Sequence, residues 1–109
     1  MYEIRLLDPA NELLESCSSK MQAKILRTID LLEKFGSNLP QPHAKKLTGY
    51  NLKELRVKLG SDIIRMFYFH HKDKIYIITS GYIKKTNKIS KKEIKRALRL
   101  KAKFEEENK

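Results

Sequence analysis

The chain has 109 residues, with 24 Lys and Arg against 13 Asp and Glu, for a formal net charge of +11. A single cysteine, Cys17, rules out an intrachain disulfide, and no apolar run approaches the ~18 residues of a spanning helix. A secreted disulfide scaffold and a membrane span are therefore excluded as readings, and one cytoplasmic domain over 1–109 with an acidic partner, nucleic acid or ribosome, is expected.

In chain order, 2–7 alternates weakly and predicts a short strand. Asp8-Pro9 is a helix start, with Asp8 as N-cap and Pro9 in the first turn, and Ala10, Leu13, Leu14 and Cys17 follow at helical spacing. Ser18-Ser19 separates this helix from a second, marked by Met21, Ile25, Ile29 and Leu32 and closed by Gly36. The first third thus predicts a helical hairpin. Pro40, Pro42 and Gly49 punctuate 37–51, which reads as a loop. Leu55, Val57 and Leu59 alternate with Glu54, Arg56 and Lys58, predicting a half-buried strand. Ile63–His70 and Ile75–Ile83 are rich in β-branched and aromatic residues, and Gly60-Ser61 and Lys72-Asp73 are the turns of a three-strand meander. Ser90 with Glu93 is a capping box opening a last helix with an apolar stripe of Ile94, Ala97, Leu98 and Phe104. Its acidic end, Glu105–Glu107, is expected to fray. The fold class is α+β in the order β-α-α-β-β-β-α, an antiparallel meander packed on the hairpin, with a basic C-terminal helix.

Two-residue turns set the register. Leu59 then pairs with Asp62, so Arg56 faces Arg65, while Arg65 faces Ser80 and Tyr68 faces Ile77. One face collects Leu55, Val57, Leu59, Ile64, Met66, Tyr68, Ile75, Ile77 and Ile83 as core. The other collects Arg56, Lys58, Arg65, Phe67, Ser80, Tyr82 and Lys84. Arg65 and Ile77 must lie on opposite faces for this register, and the site built on it, to stand. Opposed arginines on a sheet repel unless an anion lies between them, and Phe67 and Tyr82 beside them offer rings on which a base could stack.

From Lys84 to Lys103 there are ten Lys or Arg and one acid, Glu93, so this segment carries +9 of the +11. Lys85, Lys88, Lys91, Lys92, Lys95, Arg96 and Arg99, with Lys58 on the sheet, are candidate RNA or ribosome contacts of the sequence-independent kind. Each candidate also has a plain reading: the arginines on a solvated sheet face, the lysines on a solvated helix face. The histidines, His43, His70 and His71, form no ligand set, so no metal and no cofactor is expected.

In order along the chain, Leu55-Arg56, Ile64-Arg65-Met66-Phe67-Tyr68 and Tyr82-Ile83-Lys84-Lys85-Thr86, approached by Lys46-Leu47-Thr48-Gly49, resemble the RelE/ParE superfamily of type II toxins, closest to its HigB-like, phage-related branch. The resemblance spans nearly the whole chain. It implies a RelE-like fold and a metal-independent, ribosome-dependent mRNA endonuclease held inactive by a helix-turn-helix, HigA-like antitoxin, as a toxin–antitoxin heterotetramer. A ParE-like gyrase inhibitor and a non-catalytic RNA- or ribosome-binding module are the alternatives. The family's strand arginine corresponds to Arg65, its leading arginine to Arg56 and its basic pair to Lys84 and Lys85; with Tyr82 these give a catalytic set of Arg56, Arg65, Tyr82 and Lys84. Two features of relatives are missing: no tyrosine follows Tyr82, and no acidic–aromatic–histidine cluster closes the chain. Arg65→Ala is expected to abolish activity with little change in melting temperature. An antitoxin is expected to cover the outer side of the hairpin at Leu13, Leu14 and Leu31, and the sheet edge.

Overall fold

The computed structural model describes residues 1–40, 43–84 (the main chain alone at Lys84) and 89–109. Five strands form one sheet in the order β1-β5-β4-β3-β2: β1 Glu3–Leu6, β2 Ala44–Lys46, β3 Lys53–Leu59, β4 Asp62–Lys72 and β5 Ile75–Lys84. Only β1 pairs in parallel, along β5; the rest of the sheet is antiparallel. The α1 helix (Asp8–Ser16) and α2 helix (Ser19–Phe35) make the hairpin, and α3 (Lys91–Glu107) follows the sheet. The expected α+β order is therefore present, with one addition. Within the expected loop, Ala44–Lys46 pairs with Lys53–Leu55 as an edge strand too short to show a period.

Local chemistry sets the boundaries. Leu7, not Asp8, occupies the N-cap of α1, and Asp8 is already helical, its charge favourable in the first turn. Ser18 caps α2, its hydroxyl accepting from Met21 N–H at 3.2 Å. Gly36 ends α2 at φ +53°, and a Cβ there would stand 2.2 Å from the Tyr2 ring, so both conformation and space require glycine. Ser90 accepts from Glu93 N–H at 3.3 Å. The acidic end does not fray: α3 runs to Glu107 because Phe104 packs edge-on against Phe69 and His71, carrying the helix past its charged turn.

The β3–β4 register is as expected, with Leu59 opposite Asp62 and Arg56 opposite Arg65. The β4–β5 register is not. Tyr82, not Ser80, faces Arg65, and Tyr68 faces Ile78. The turn sits one residue later, with Asp73 at φ +51°, and bulges interrupt the ladder at Phe67/Tyr68 and His70/Lys72. Thr79 is the extra residue of the first bulge, and its hydroxyl donates to Phe67 O at 3.3 Å.

This bulge exchanges faces along the first half of β5. Tyr76 and Ile78 join Leu55, Val57, Ile64, Met66 and Tyr68 against the hairpin. Ile75 and Ile77 turn to the opposite side, with Phe67, Phe69, Ile94 and Ala97. Ile77 therefore shares a face with Arg65, against expectation, and Ile83 is 49% exposed instead of core. The pairing of Arg56 with Arg65 survives because it lies in the unbulged ladder. That opposite side is also not the open basic face expected: α3 lies over it. The sign was in β4, whose Ile63–Phe69 is buried at every position. Continuous burial of this kind belongs to a strand covered on both faces.

Candidate active site

Strand alternation places Glu54, Arg56 and Lys58 on the α3 side of β3, and pairing brings Arg65 of β4 opposite Arg56 and Tyr82 of β5 opposite Arg65. The candidates Arg56, Arg65 and Tyr82 thus form one row across three adjacent strands, with Tyr82 in the place where the expected register put Ser80. The anion between the arginines is the protein's own. Glu54 Oε1 accepts from Arg65 Nη1 at 2.6 Å, and Arg56 Nε stands 3.4 Å from the same oxygen. Glu54 is diagonal to Arg65, its direct partner being Phe67, within reach of long side chains on one sheet face. Its position, two residues before Arg56, was the available signal: equal parity on β3 puts the carboxylate beside both guanidiniums.

Burial divides the three charges. The Arg65 and Glu54 side chains are 4% and 1% exposed, that of Arg56 30%. Arg65 is therefore a neutralised interior charge, and Arg56 is the guanidinium within reach of solvent. The β3 chain is held there by the Arg56 N–H, which donates to His43 O at 2.9 Å.

Tyr82 is half-buried and stacks on Phe67, ring centroids 6.0 Å apart. Phe67 is fully buried, so it offers no ring to a nucleobase. The Tyr82 phenol oxygen accepts from Ser90 N–H at 2.9 Å and so anchors the start of α3. Burial raises its pKa above 10, while the Ser90 N–H and the Arg65 charge oppose that rise and Glu54 and Glu93 add to it. Tyr82 is a neutral phenol at physiological pH, suited to giving a proton and not to taking one.

Two openings flank the cluster. A pocket of about 300 Å³ reaches Arg56 and Lys58 beside Lys24, Thr28 and His43. Another of about 280 Å³ reaches Glu54 and Arg65 from Lys45, Lys46, Thr48 and Tyr50. The second wall was missed because 37–51 reads as a plain loop. On α3, Lys91, Lys92, Lys95 and Arg99 are exposed, and Arg96 is half-buried, 3.8 Å from Glu93. Lys58 is exposed on β3. Lys101 was not singled out, yet it is buried, its Nζ donating to Asn51 O at 2.9 Å and lying 5.2 Å from the Phe69 ring centroid. The Lys84 side chain, Lys85 and Lys88 lie outside the described residues.

A family model described as phage derived protein Gp49-like matches residues 12–102. The fold is similar to that of the isolated E. coli RelE toxin, with TM-score 0.58 and 16% identity over 92% of this chain and 99% of that one. It is also similar to RelE structures in two complexes. The intact E. coli RelBE toxin-antitoxin complex matches with TM-score 0.56 and 17% identity over 74% and 94% of the two chains. The archaeal RelE-RelB complex from Pyrococcus horikoshii OT3 matches with TM-score 0.52 and 23% identity over 73% and 91%. No curated protein sequence matches the chain.

Proposed function

Since the chain belongs to the Gp49-like family and shares the fold of the RelE toxins, we propose that it is the toxin of a type II toxin–antitoxin pair, an endoribonuclease that cuts mRNA on the ribosome. The observation that carries the reading is the cluster of Arg56, Glu54, Arg65 and Tyr82 across β3, β4 and β5, which sets a solvent-reachable guanidinium, Arg56, and a neutral phenol, Tyr82, on either side of Arg65.

Internal cleavage of RNA needs the attacking 2′-OH to lose a proton, the pentavalent phosphate to be stabilised and the departing 5′-oxygen to gain a proton. Arg56 meets the phosphate charge, Tyr82 is the proton donor this site offers to the departing 5′-oxygen, and solvent water takes the 2′-OH proton. Lys84 adds positive charge at the end of β5. Positioning by the ribosome supplies part of the effect, since orientation alone lowers such barriers by several kcal/mol. Lys58, Lys85, Lys88 and the α3 set Lys91, Lys92, Lys95, Arg96 and Arg99 hold the ribosomal or messenger backbone without reading sequence. Control falls to a helix-turn-helix, HigA-like antitoxin in a toxin–antitoxin heterotetramer, and the work takes place in the cytoplasm. The outer-hairpin contact needs new residues, because Leu13, Leu14 and Leu31 pack partly buried against the core, whereas Leu26 and Phe35 of α2 are 49% and 42% exposed.

The test adds purified protein to translating ribosomes and maps mRNA 5′ ends. New ends confined to ribosome-occupied codons, with naked RNA intact, are expected. Arrest without new ends would leave a binding module, and DNA breaks in the presence of gyrase would leave a ParE-like inhibitor.

A further inference from the structure

Glu54 is a buried carboxylate that none of the chemistry above employs, and it is the hub of the cluster. One oxygen, Oε1, takes both the Arg65 contact at 2.6 Å and the Arg56 contact at 3.4 Å. Glu54 and Arg65, at 1% and 4% side-chain exposure, present little surface to an RNA phosphate even where the second opening reaches them, whereas Arg56 presents 30%. Phe67 faces Glu54 across the ladder, and Leu47, Ile89 and Ile94 share its pocket with Lys45, Lys46 and Thr48. A pair of hydrophobic residues would fill such a place with comparable stability, so an ion pair kept there calls for a purpose beyond packing. The carboxylate does one thing no hydrophobic residue could. It holds a third group, the Arg56 guanidinium, through Nε, and a planar fork held at one edge has a fixed direction.

We propose that Glu54 is a positioning residue, which aims the Arg56 guanidinium at the scissile phosphate, while Arg65 holds Glu54 in place and makes no substrate contact. The three side chains sum to one positive charge, so the approaching phosphate meets a single oriented cation. This rests on the reading that the chain cuts RNA, and it moves Arg65 from the substrate-binding set to the supporting one.

The experiment compares wild type, Glu54→Gln and Arg56→Ala with the combined variant, in ribosome-dependent cleavage and in arginine side-chain NMR of the free, nitrogen-labelled protein. Misaiming a catalytic group by about an ångström costs roughly a hundredfold. Glu54→Gln is therefore expected to lower kcat about a hundredfold with KM nearly unchanged. In the Arg56→Ala background it should cost little more, since the two act as one unit. The Arg56 Nε–H resonance should move and broaden in Glu54→Gln. Undiminished kcat, or an equal further loss in the Arg56→Ala background, would overturn the assignment. If Glu54→Gln fails to fold, Glu54→Gln/Arg65→Gln removes both buried charges together and keeps an amide pair. It is expected to fold and to stay slow, and wild-type kcat in that variant would overturn the assignment. Should wild type itself cut nothing, the cleavage reading alone falls. The NMR arm then decides the positioning claim: a shifted Arg56 resonance upholds it, and an unchanged one overturns it.

Discussion

Removing the Arg65 side chain takes from the Glu54 carboxylate, 1% exposed inside the α3 side of the sheet, its 2.6 Å partner and leaves it the longer Arg56 contact at 3.4 Å. Loss of one partner of a buried pair typically costs about 3–5 kcal/mol. In a domain of this size each kcal/mol is worth roughly 4–8 °C of melting temperature. Arg65→Ala should therefore lower Tm by more than about 12 °C in a thermal melt, and an unchanged Tm would contradict the pairing. This reverses the expectation drawn from the sequence, where Arg65 stood on a solvated face and its loss was to spare the fold. The arginines and their opposition were legible, because Gly60-Ser61 fixes the β3–β4 register. What was not used was the acid on the same face: the basic residues of β3 were counted into the site and Glu54 was not.

Among the elements, β5 shows where alternation stops being a guide. A bulge leaves no mark in composition, since Thr79 fits a strand as well as its neighbours do, yet it decides which of Tyr76, Ile77 and Ile78 faces the hairpin. The amphipathic stripe of α3 was legible, but its partner was not, because straight alternation puts Phe67 on a solvated face and Ile77 on the hairpin face. After the bulge, Gly81 sits where a Cβ would stand 2.6 Å from Arg65 O and 2.8 Å from Leu13 Cδ2 of α1. Gly81→Ala should overpack this joint and destabilise the fold by about 1–3 kcal/mol, measured by urea unfolding. A neutral Gly81→Ala would mean that α1 yields freely. Tyr82→Phe keeps the stack on Phe67 but loses the acceptor for Ser90 N–H. It should cost about 1 kcal/mol and speed amide exchange in the first turn of α3, while the α2 amides stay protected. Unaltered exchange at Ser90 would dismiss Tyr82 as the anchor of that helix.

For the whole molecule, burial holds three tyrosines in the neutral form. Tyr68, Tyr76 and Tyr82 all have pKa values raised by desolvation, Tyr68 most of all. A raised folded pKa adds stability that is complete below the unfolded value, about 10, and is lost as pH climbs through the folded values. Melting temperature should fall steadily above about pH 10, and Tyr68→Phe should flatten that fall; parallel curves for the two proteins would refute the account. The charge inventory has a different consequence. The Glu54 cluster nets +1, while +9 of the chain's +11 lies between Lys84 and Lys103. In the proposed nuclease, long-range attraction thus falls mainly to the α3 residues and bond-breaking to the cluster. The first is collective and damped by salt; the second is short-ranged and set by geometry. Lysines on the outer surface of α3 can be exchanged one at a time, each trimming how fast the protein finds its polyanion, with no change in what happens after contact. If the chain cuts RNA as proposed, speed of capture and skill at the bond can drift independently, and a lineage could retune one while inheriting the other intact.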